Sequence, residues 1–565
     1  MEFLGNLHSH SEFSNLRLRD SISRVPELID RAIELGHKAI AFTEHDTISN
    51  AIKIEEYADK IKKTNPDFKV IRGNEIYLCR DGLNAENFIK GEDSYFHFIL
   101  LAKDSEGHKQ IREISSAAWG RCYKTGKMTR VPTYFQDILA TIGKNPGHVI
   151  GSTACLGGFL GTKLLQYREN KDKDFYNKIV NWLKQIENIF TKGNFYLEMQ
   201  PSYNEEQIFV NKEIVKLSKI TSIPYIITTD SHYTKKEDRP IHKAYLTSQE
   251  GDREVDEFYA TTYMMDTTEL ESYLIDYLSR EEIDYAYQNI ENIIAQCEEY
   301  SLRKPLKIPS LDWKESITHT SPNVYYDKIP ALRKFTESDF EGDKRLAELV
   351  VDKIVLDSRL QNKEIYEELN NNLEATWESS EVNKAHWSAY FLNLQKIIDI
   401  CWEAGSLVGP GRGSGVGFLL LYVLDIIQIN CKWETTPTFG WRFLNPSRVS
   451  VLDVDTDVEG GRRAQVLQAL RNYYGQDRVA NVVTFGTEKP RSAIQTAARG
   501  LGLDVDLALY ISSLVPKDRG IDRTLHQCYY GDEENDYAPV PLFVQEMNNN
   551  PELWEVAQRI EGLSD

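Results

Sequence analysis

The sequence predicts a multidomain protein of α/β and α+β type, on three observations. Short apolar runs alternate with helical patterns from residue 1 to about 275, an acidic helix-rich stretch follows, and a second α/β unit opens with an apolar helix at Tyr390. At 565 residues the chain exceeds what one core can organise, so about three or four domains are expected.

In the first stretch, Val25 to Ile33 carries apolar residues at helical spacing and Gly36 ends the helix. Strands are expected at Ala39–Phe42, Phe98–Leu101, His148–Ile150, Phe195–Leu197 and Tyr225–Ile227, and their alternation with helices reads as an α/β barrel or an open α/β sheet. The Pro-containing basic stretch Leu302–Pro309 reads as a linker. Further on, the apolar helix Tyr390–Ala404 runs into a glycine-rich loop.

Composition narrows the function classes. With 41% hydrophobic and 27% charged residues the chain should fold throughout. Its formal charge of -20 argues against a polyphosphate-binding surface overall, so any nucleic-acid groove must be local. Seven cysteines without a CxxC pair fit a reducing compartment. Neither a leader pattern at the N-terminus nor a long apolar run points to a membrane, and a cytoplasmic address is expected.

Ligand-type residues recur where strands end. His8 and His10 open the chain, His45 follows one expected strand, Glu75 another, Cys155 a third, and Asp230 with His232 a fourth, while His97 opens a strand. A single HxH pair would pass as two polar residues on one strand face. Imidazole, thiolate and carboxylate recurring at successive strand ends is different, because the carboxyl ends of barrel strands share one face, and these are the donors that borderline metals accept.

The segments Leu7-His8-Ser9-His10-Ser11, Thr43-Glu44-His45-Asp46, Gly73-Asn74-Glu75, His97 to Lys103, Gly151 to Leu156 and Thr229-Asp230-Ser231-His232 resemble the motifs of the polymerase-and-histidinol-phosphatase (PHP) domain. That resemblance implies a distorted α/β barrel over residues 1–275. It also implies a centre of two or three zinc or manganese ions held by His8, His10, Asp20, His45, Glu75, His97, Cys155, Asp230 and His232. No ligand position is lost, so a working phosphoesterase with 3′ to 5′ exonuclease activity is expected.

A second constellation lies downstream. In Gly409-Pro410-Gly411-Arg412-Gly413-Ser414-Gly415, glycines let backbone N–H groups approach phosphate oxygens, and a helix is expected to follow. Strand alternation through Val449 to Asp457 would put Asp453, Asp455 and Asp457 on one face, where their repulsion is relieved either by an exposed edge facing water or, as the glycine-serine loop upstream favours, by magnesium.

Together these resemble the palm of family C replicative polymerases, the bacterial DNA polymerase III α subunits. The resemblance implies a nucleotidyltransferase-type palm in 276–484, with a helical insertion, and a small helical thumb in 485–565. Asp453 and Asp455 would hold two magnesium ions, Asp457 would support the strand, and Arg412, Gly413, Ser414 and Arg442 would contact the dNTP. Primer-template DNA would be the other substrate; Lys489, Arg491 and Arg499, which interrupt helical apolar residues, suit a thumb gripping its backbone, and any single one reads nearly as well as part of an ordinary solvated helix face. The family's third catalytic aspartate has no counterpart here, so a second polypeptide or C-terminal region is expected to supply it, the fingers and any sliding-clamp contact. Templated synthesis by this chain alone is therefore not expected. The rival reading is a stand-alone PHP phosphoesterase with a palm remnant that holds DNA.

Overall fold

The computed structural model describes residues 1–126, 128–248, 257–309, 320–436, 438–447 and 452–564. It forms two compact units, one joining Met1–Leu302 with Thr484–Asp565, the other comprising Arg303–Val483.

The first unit is built on an almost closed barrel. Its strands are β1 (Gly5–Asn6), β2 (Ala39–Phe42), β3 (Lys69–Cys79), β4 (Phe96–Ala102), β5 (Val149–Ser152), β6 (Phe195–Met199) and β7 (Tyr225–Ile227), neighbours in that order, with Thr133–Tyr134 paired to β3 off this path. All pairings along the path are parallel except those of β4, which runs against both β3 and β5. The ring closes beyond β1 and β7 at a Ser9–Ser231 bridge, where His10 N donates to Ser231 O at 2.8 Å and Ser231 N to His8 O at 3.1 Å. The sequence therefore gave the right class of architecture, and the expected runs fall on β2, β4, β5, β6 and β7. Continuous apolar strands are what a sheet covered on both faces requires, and all four residues of β2 are fully buried.

One expectation needs correction. Glu75 does not follow its strand but lies inside β3, which pairs with β2 through residue 72 and then continues as the partner of β4. Gly73 makes this switch possible: a Cβ there would sit 2.5 Å from Leu100 O and 3.1 Å from Phe42 O.

The helices Pro490–Gly500, Val505–Ser513, Leu525–Tyr530, Pro541–Asn549 and Pro551–Ile560 share the apolar core of this unit. They dock on the helix Arg239–Thr247. Thr247 Oγ1 donates to Gly500 O at 2.9 Å, Arg499 Nη1 to Ser248 O at 3.1 Å, and Arg559 pairs with Glu27 at 3.0 Å. Arg491 is likewise engaged internally, with Val515 O at 2.6 Å and Asp522 at 3.0 Å. Both arginines thus have partners within this unit.

At Gly500 a Cβ would come within 2.0 Å of the Ala244 carbonyl oxygen. Alanine is otherwise the better helix former by about 1 kcal/mol. Gly500→Ala is nonetheless expected to destabilise this unit by about 1–3 kcal/mol through overpacking, seen as a lowered midpoint in thermal denaturation.

The second unit is mainly helical. Leu332–Thr336, Glu341–Leu356, Lys363–Asn383 and Trp387–Glu403 pack on the short helix Leu419–Val423 around buried Leu346, Leu369, Phe391 and Leu420. The described part of the aspartate segment, Leu452–Asp457, is not an assigned strand; it continues to a single antiparallel bridge, Val408 with Val458. Val449–Val451 lie outside the described residues. The glycine loop passes into a four-residue 3-10 turn, Ser414–Gly417, before the short helix Leu419–Val423, and a Cβ on Gly417 would crowd the Phe439 backbone at 3.2 Å.

Among the described residues no helix is long and apolar enough to cross a membrane.

Candidate functional site

The turns after the barrel strands, together with Glu75 inside β3 and His97 in β4, bring all nine expected ligands into one cluster, buried except for half-buried His97. Asp46, Ala154 and Asp230, beside or within it, hold φ of 52°, 57° and 47°, a left-handed conformation that non-glycine residues keep only where surrounding structure imposes it. His8 Nε2 lies 3.1 Å from both His10 Nε2 and Asp230 Oδ1, and His10 Nε2 is also 3.1 Å from Asp230 Oδ1. His45 spans Asp20 at 3.1 Å and Glu75 at 2.5 Å. His97 Nδ1 is 2.8 Å from Glu75 Oε1 and 3.3 Å from Cys155 Sγ. His232 completes the ring, 3.7 Å from Asp20 and stacked on His10.

Three ligand sets arise from this packing, each with donor atoms within 4.8 Å of one another: His10, His45 and His232; His8, His10 and Asp230; Glu75, His97 and Cys155. Among the described residues buried Asp20 Oδ1 has no hydrogen-bond partner, while buried Glu75 Oε1 and Asp230 Oδ1 have imidazole nitrogens as near neighbours, His97 Nδ1 at 2.8 Å and the Nε2 atoms of His8 and His10 at 3.1 Å. Buried carboxylate oxygens left this way need a cation.

The electrostatics say the same. Burial lowers an imidazole's pKa, yet Asp230 and Glu198 lift His8 to about 10, and Asp20 with Glu75 lift His45 to about 10. His10 stays well below its ordinary value, and His232 falls to about 4, through burial and the neighbouring imidazoles. The donor set therefore fits divalent metals of the zinc or manganese kind.

The groups that orient these ligands escaped the sequence reading. Glu198, inside β6 and 2% exposed, accepts from His8 Nδ1 at 2.6 Å and from Thr228 Oγ1 at 2.7 Å, and is also bound by Ser152. Ser14 Oγ lies 2.9 Å from His10 Nδ1 and donates to Glu44 at 2.5 Å; Tyr77 OH reaches His45 Nδ1 at 2.9 Å. A glutamate within the apolar run Phe195-Tyr196-Leu197-Glu198-Met199 was the available signal for the first of these.

Away from this cluster, burial lowers His37 to about 4 while its Nε2 lies 3.1 Å from Met265 O. A folded pKa below the unfolded 6.5 means the unfolded chain binds the proton first. The contribution of neutral His37 is thus fully present above pH 6.5 and lost as pH falls through about 4. Wild type should lose on the order of 3 kcal/mol relative to His37→Asn over that interval, measured by denaturant unfolding at each pH.

In the second unit Arg412 lies between the acidic segment and the glycine loop, 3.0 Å from Asp455 Oδ1 and 3.2 Å from Asp457 Oδ1. A Cβ on Gly413 (φ 70°) would stand 2.9 Å from Asp455 Oδ2, and Gly409 N donates to Asp457 O at 2.9 Å. The loop and Asp455 are thus in contact. Asp453 and Arg442 are exposed, Asp453 near Tyr390, and Ser414 opens the 3-10 turn. Arg412 is the counter-cation of both Asp455 and Asp457.

Residues 6–202 match the PHP domain family, and residues 344–565 match the bacterial DNA polymerase III alpha NTPase domain. A probable DNA polymerase YorL of Bacillus subtilis (strain 168) is 36% identical over 582 residues, covering 99% of this chain and 44% of the relative. The DNA polymerase III subunit alpha of Aquifex aeolicus (strain VF5) is 27% identical, and that of Thermus aquaticus 28%; each match covers 99% of this chain and 46% of the relative. The chain thus spans a little under half the length of the curated relatives it matches. It carries a PHP domain and a bacterial DNA polymerase III alpha NTPase domain, and is a homologue of the DNA polymerase III alpha subunits across 99% of its length.

Proposed function

We propose that this chain is a component of a DNA polymerase whose PHP domain is a metal-dependent 3′ to 5′ exonuclease. The observation that carries the reading is the convergence of eight metal-type ligands in three sets, with Asp20 against His45 and His232 beside them, joined in one chain to an acidic segment that meets a glycine loop. Substrates would be primer-template DNA and dNTPs, in the cytoplasm of a bacterial or phage-infected cell. Because the relatives are more than twice as long, a C-terminal region or second polypeptide would add a third catalytic aspartate and the fingers, and could carry a sliding-clamp contact.

In the PHP domain the three ligand sets would hold two or three zinc or manganese ions. When bound, such ions supply a water of lowered pKa and charge compensation for phosphate oxygens. Glu198 and Ser14 fix the tautomers and planes of His8 and His10, while the barrel wall keeps the remaining faces dry. In the palm, Asp453 and Asp455 would hold two magnesium ions, and Arg412, Gly413, Ser414 and Arg442 would meet the triphosphate. Arg412 then exchanges its carboxylate partners for phosphate.

The rival reading, a stand-alone phosphoesterase with a palm that only holds DNA, is favoured by one observation: Arg412 already neutralises Asp455 and Asp457. The exonuclease is tested by metal removal. Chelation should abolish release of nucleotides from a mispaired primer end and manganese should restore it; release that is unchanged by chelation contradicts the reading.

A further inference from the structure

Beside the metal cluster, a cleft of about 470 Å³ begins at His97 and Cys155 and runs outward between the turn after β5, the segment after β6 and residues 258–262. Its size lies in the range that takes small ligands, about 300–1,000 Å³. Its chemistry is distinctive. Among the described residues lining it there is no Lys or Arg, and Glu206 is the only charged side chain besides the metal-type ligands.

A second phosphate would find no partner there. Leu156, Leu165 and half-buried Phe258 instead give apolar and aromatic walls. Tyr259 ties this wall to the cluster, its OH 3.3 Å from Asp20 Oδ2 and its ring edge-on to His232 at 5.3 Å.

The floor is a row of amides. Gln200, 4% exposed, donates weakly to Glu198 at 3.4 Å and Asp230 at 3.5 Å, and Asn211 links it to Gln207. Gln207 is 3% exposed; its Nε2 donates to Asn211 Oδ1 at 2.9 Å, but its Oε1, although buried, has no hydrogen-bond partner among the described residues. An unpaired acceptor beside a cleft with an aromatic wall matches a flat neutral group that carries N–H donors on its edge.

We propose that this cleft seats the base of the 3′-terminal nucleotide of single-stranded DNA, stacked on Phe258 with Tyr259, whose ring stands at 74° to that of Phe258, against its edge, while the scissile phosphate lies on the metal cluster. The inference rests on the exonuclease reading above and deepens it. Water adds to phosphorus as the bond to the penultimate 3′ oxygen breaks, so the seated nucleotide leaves as its 5′-monophosphate and the shortened strand keeps a 3′-hydroxyl. A phosphoprotein or sugar phosphate would leave the amide row and aromatic wall unused.

The test compares three substrates on the manganese-loaded full chain: bis(p-nitrophenyl) phosphate, which reads the metal centre alone, an oligodeoxynucleotide with an ordinary 3′ end, and the same oligonucleotide ending in an abasic residue. Losing one stacked base should reduce kcat/KM about tenfold or more for the abasic end. Phe258→Ala should impose a similar loss on the ordinary end only, leaving bis(p-nitrophenyl) phosphate hydrolysis unchanged. Anisotropy titration of the metal-free protein should show the same loss in binding of the ordinary oligonucleotide. Turnover of bis(p-nitrophenyl) phosphate with equal use of both ends, or with Phe258→Ala indistinguishable from wild type, overturns the cleft inference and leaves the phosphoesterase reading intact. No turnover of any substrate by protein that has bound manganese overturns both.

Discussion

Replacing His8 and His10 together by alanine is expected to eliminate metal-dependent nucleotide release, with loss of manganese affinity by more than the 10–100-fold that removing an outer-sphere partner typically costs. Both imidazoles contribute to the same carboxylate, Asp230 Oδ1 at 3.1 Å, and His10 also belongs to the set with His45 and His232. One double change therefore damages two of the three ligand sets. The variant should still fold, because the barrel closes through the backbone of residues 8–10 and not through their side chains. The pH dependence has a definite sign. His8 and His45, held protonated up to about 10 by their carboxylate neighbours, must release protons to bind a metal, so affinity should rise with pH across the neutral range. Equal nuclease activity in wild type and the double variant would refute the assignment.

The second large effect lies in the other unit. In a polymerase reconstituted with this chain, Asp453→Asn combined with Asp455→Asn is expected to reduce primer extension roughly a thousandfold, the scale of losing several kcal/mol of transition-state charge stabilisation. Both carboxylates lie at the surface, Asp453 exposed and Asp455 half-buried beside Gly413, so the substitutions leave no cavity. The change also removes a partner of Arg412, which should then bind triphosphate without competition from Asp455. Tighter dNTP binding with lost extension would separate metal holding from nucleotide holding; undiminished extension would contradict the role of both aspartates.

Much of the first unit could be read from sequence because its signals are local. Ala39–Phe42 is too short and too continuously apolar to be anything but a covered strand, and His45, Cys155 and His232 each follow such a run. Glu75 was misplaced because the switch of β3 from β2 to β4 depends on a long-range pairing that no local pattern encodes, although Gly73 marked its place. Glu198 was missed for a related reason: a strand glutamate looks like a surface residue until its partner, 190 positions away, is known. The docking of Arg499 on Ser248 is longer-range still, across 251 positions, and a cation on a helix face carries no sign of whether its partner is phosphate or a backbone carbonyl. In the acidic segment, alternation suggested a strand, but its described part makes only one bridge, since pairing needs a neighbour and Val408 supplies it at one position.

The central claim is that the side chains gathered from seven turns and strands of the barrel hold cations. Anomalous diffraction from crystals soaked in manganese tests it most directly. Peaks are expected within roughly 2.0–2.3 Å of donor atoms in at least two of the three sets formed by His10, His45 and His232, by His8, His10 and Asp230, and by Glu75, His97 and Cys155. Strong peaks elsewhere on the molecule, with none among these side chains, would contradict it.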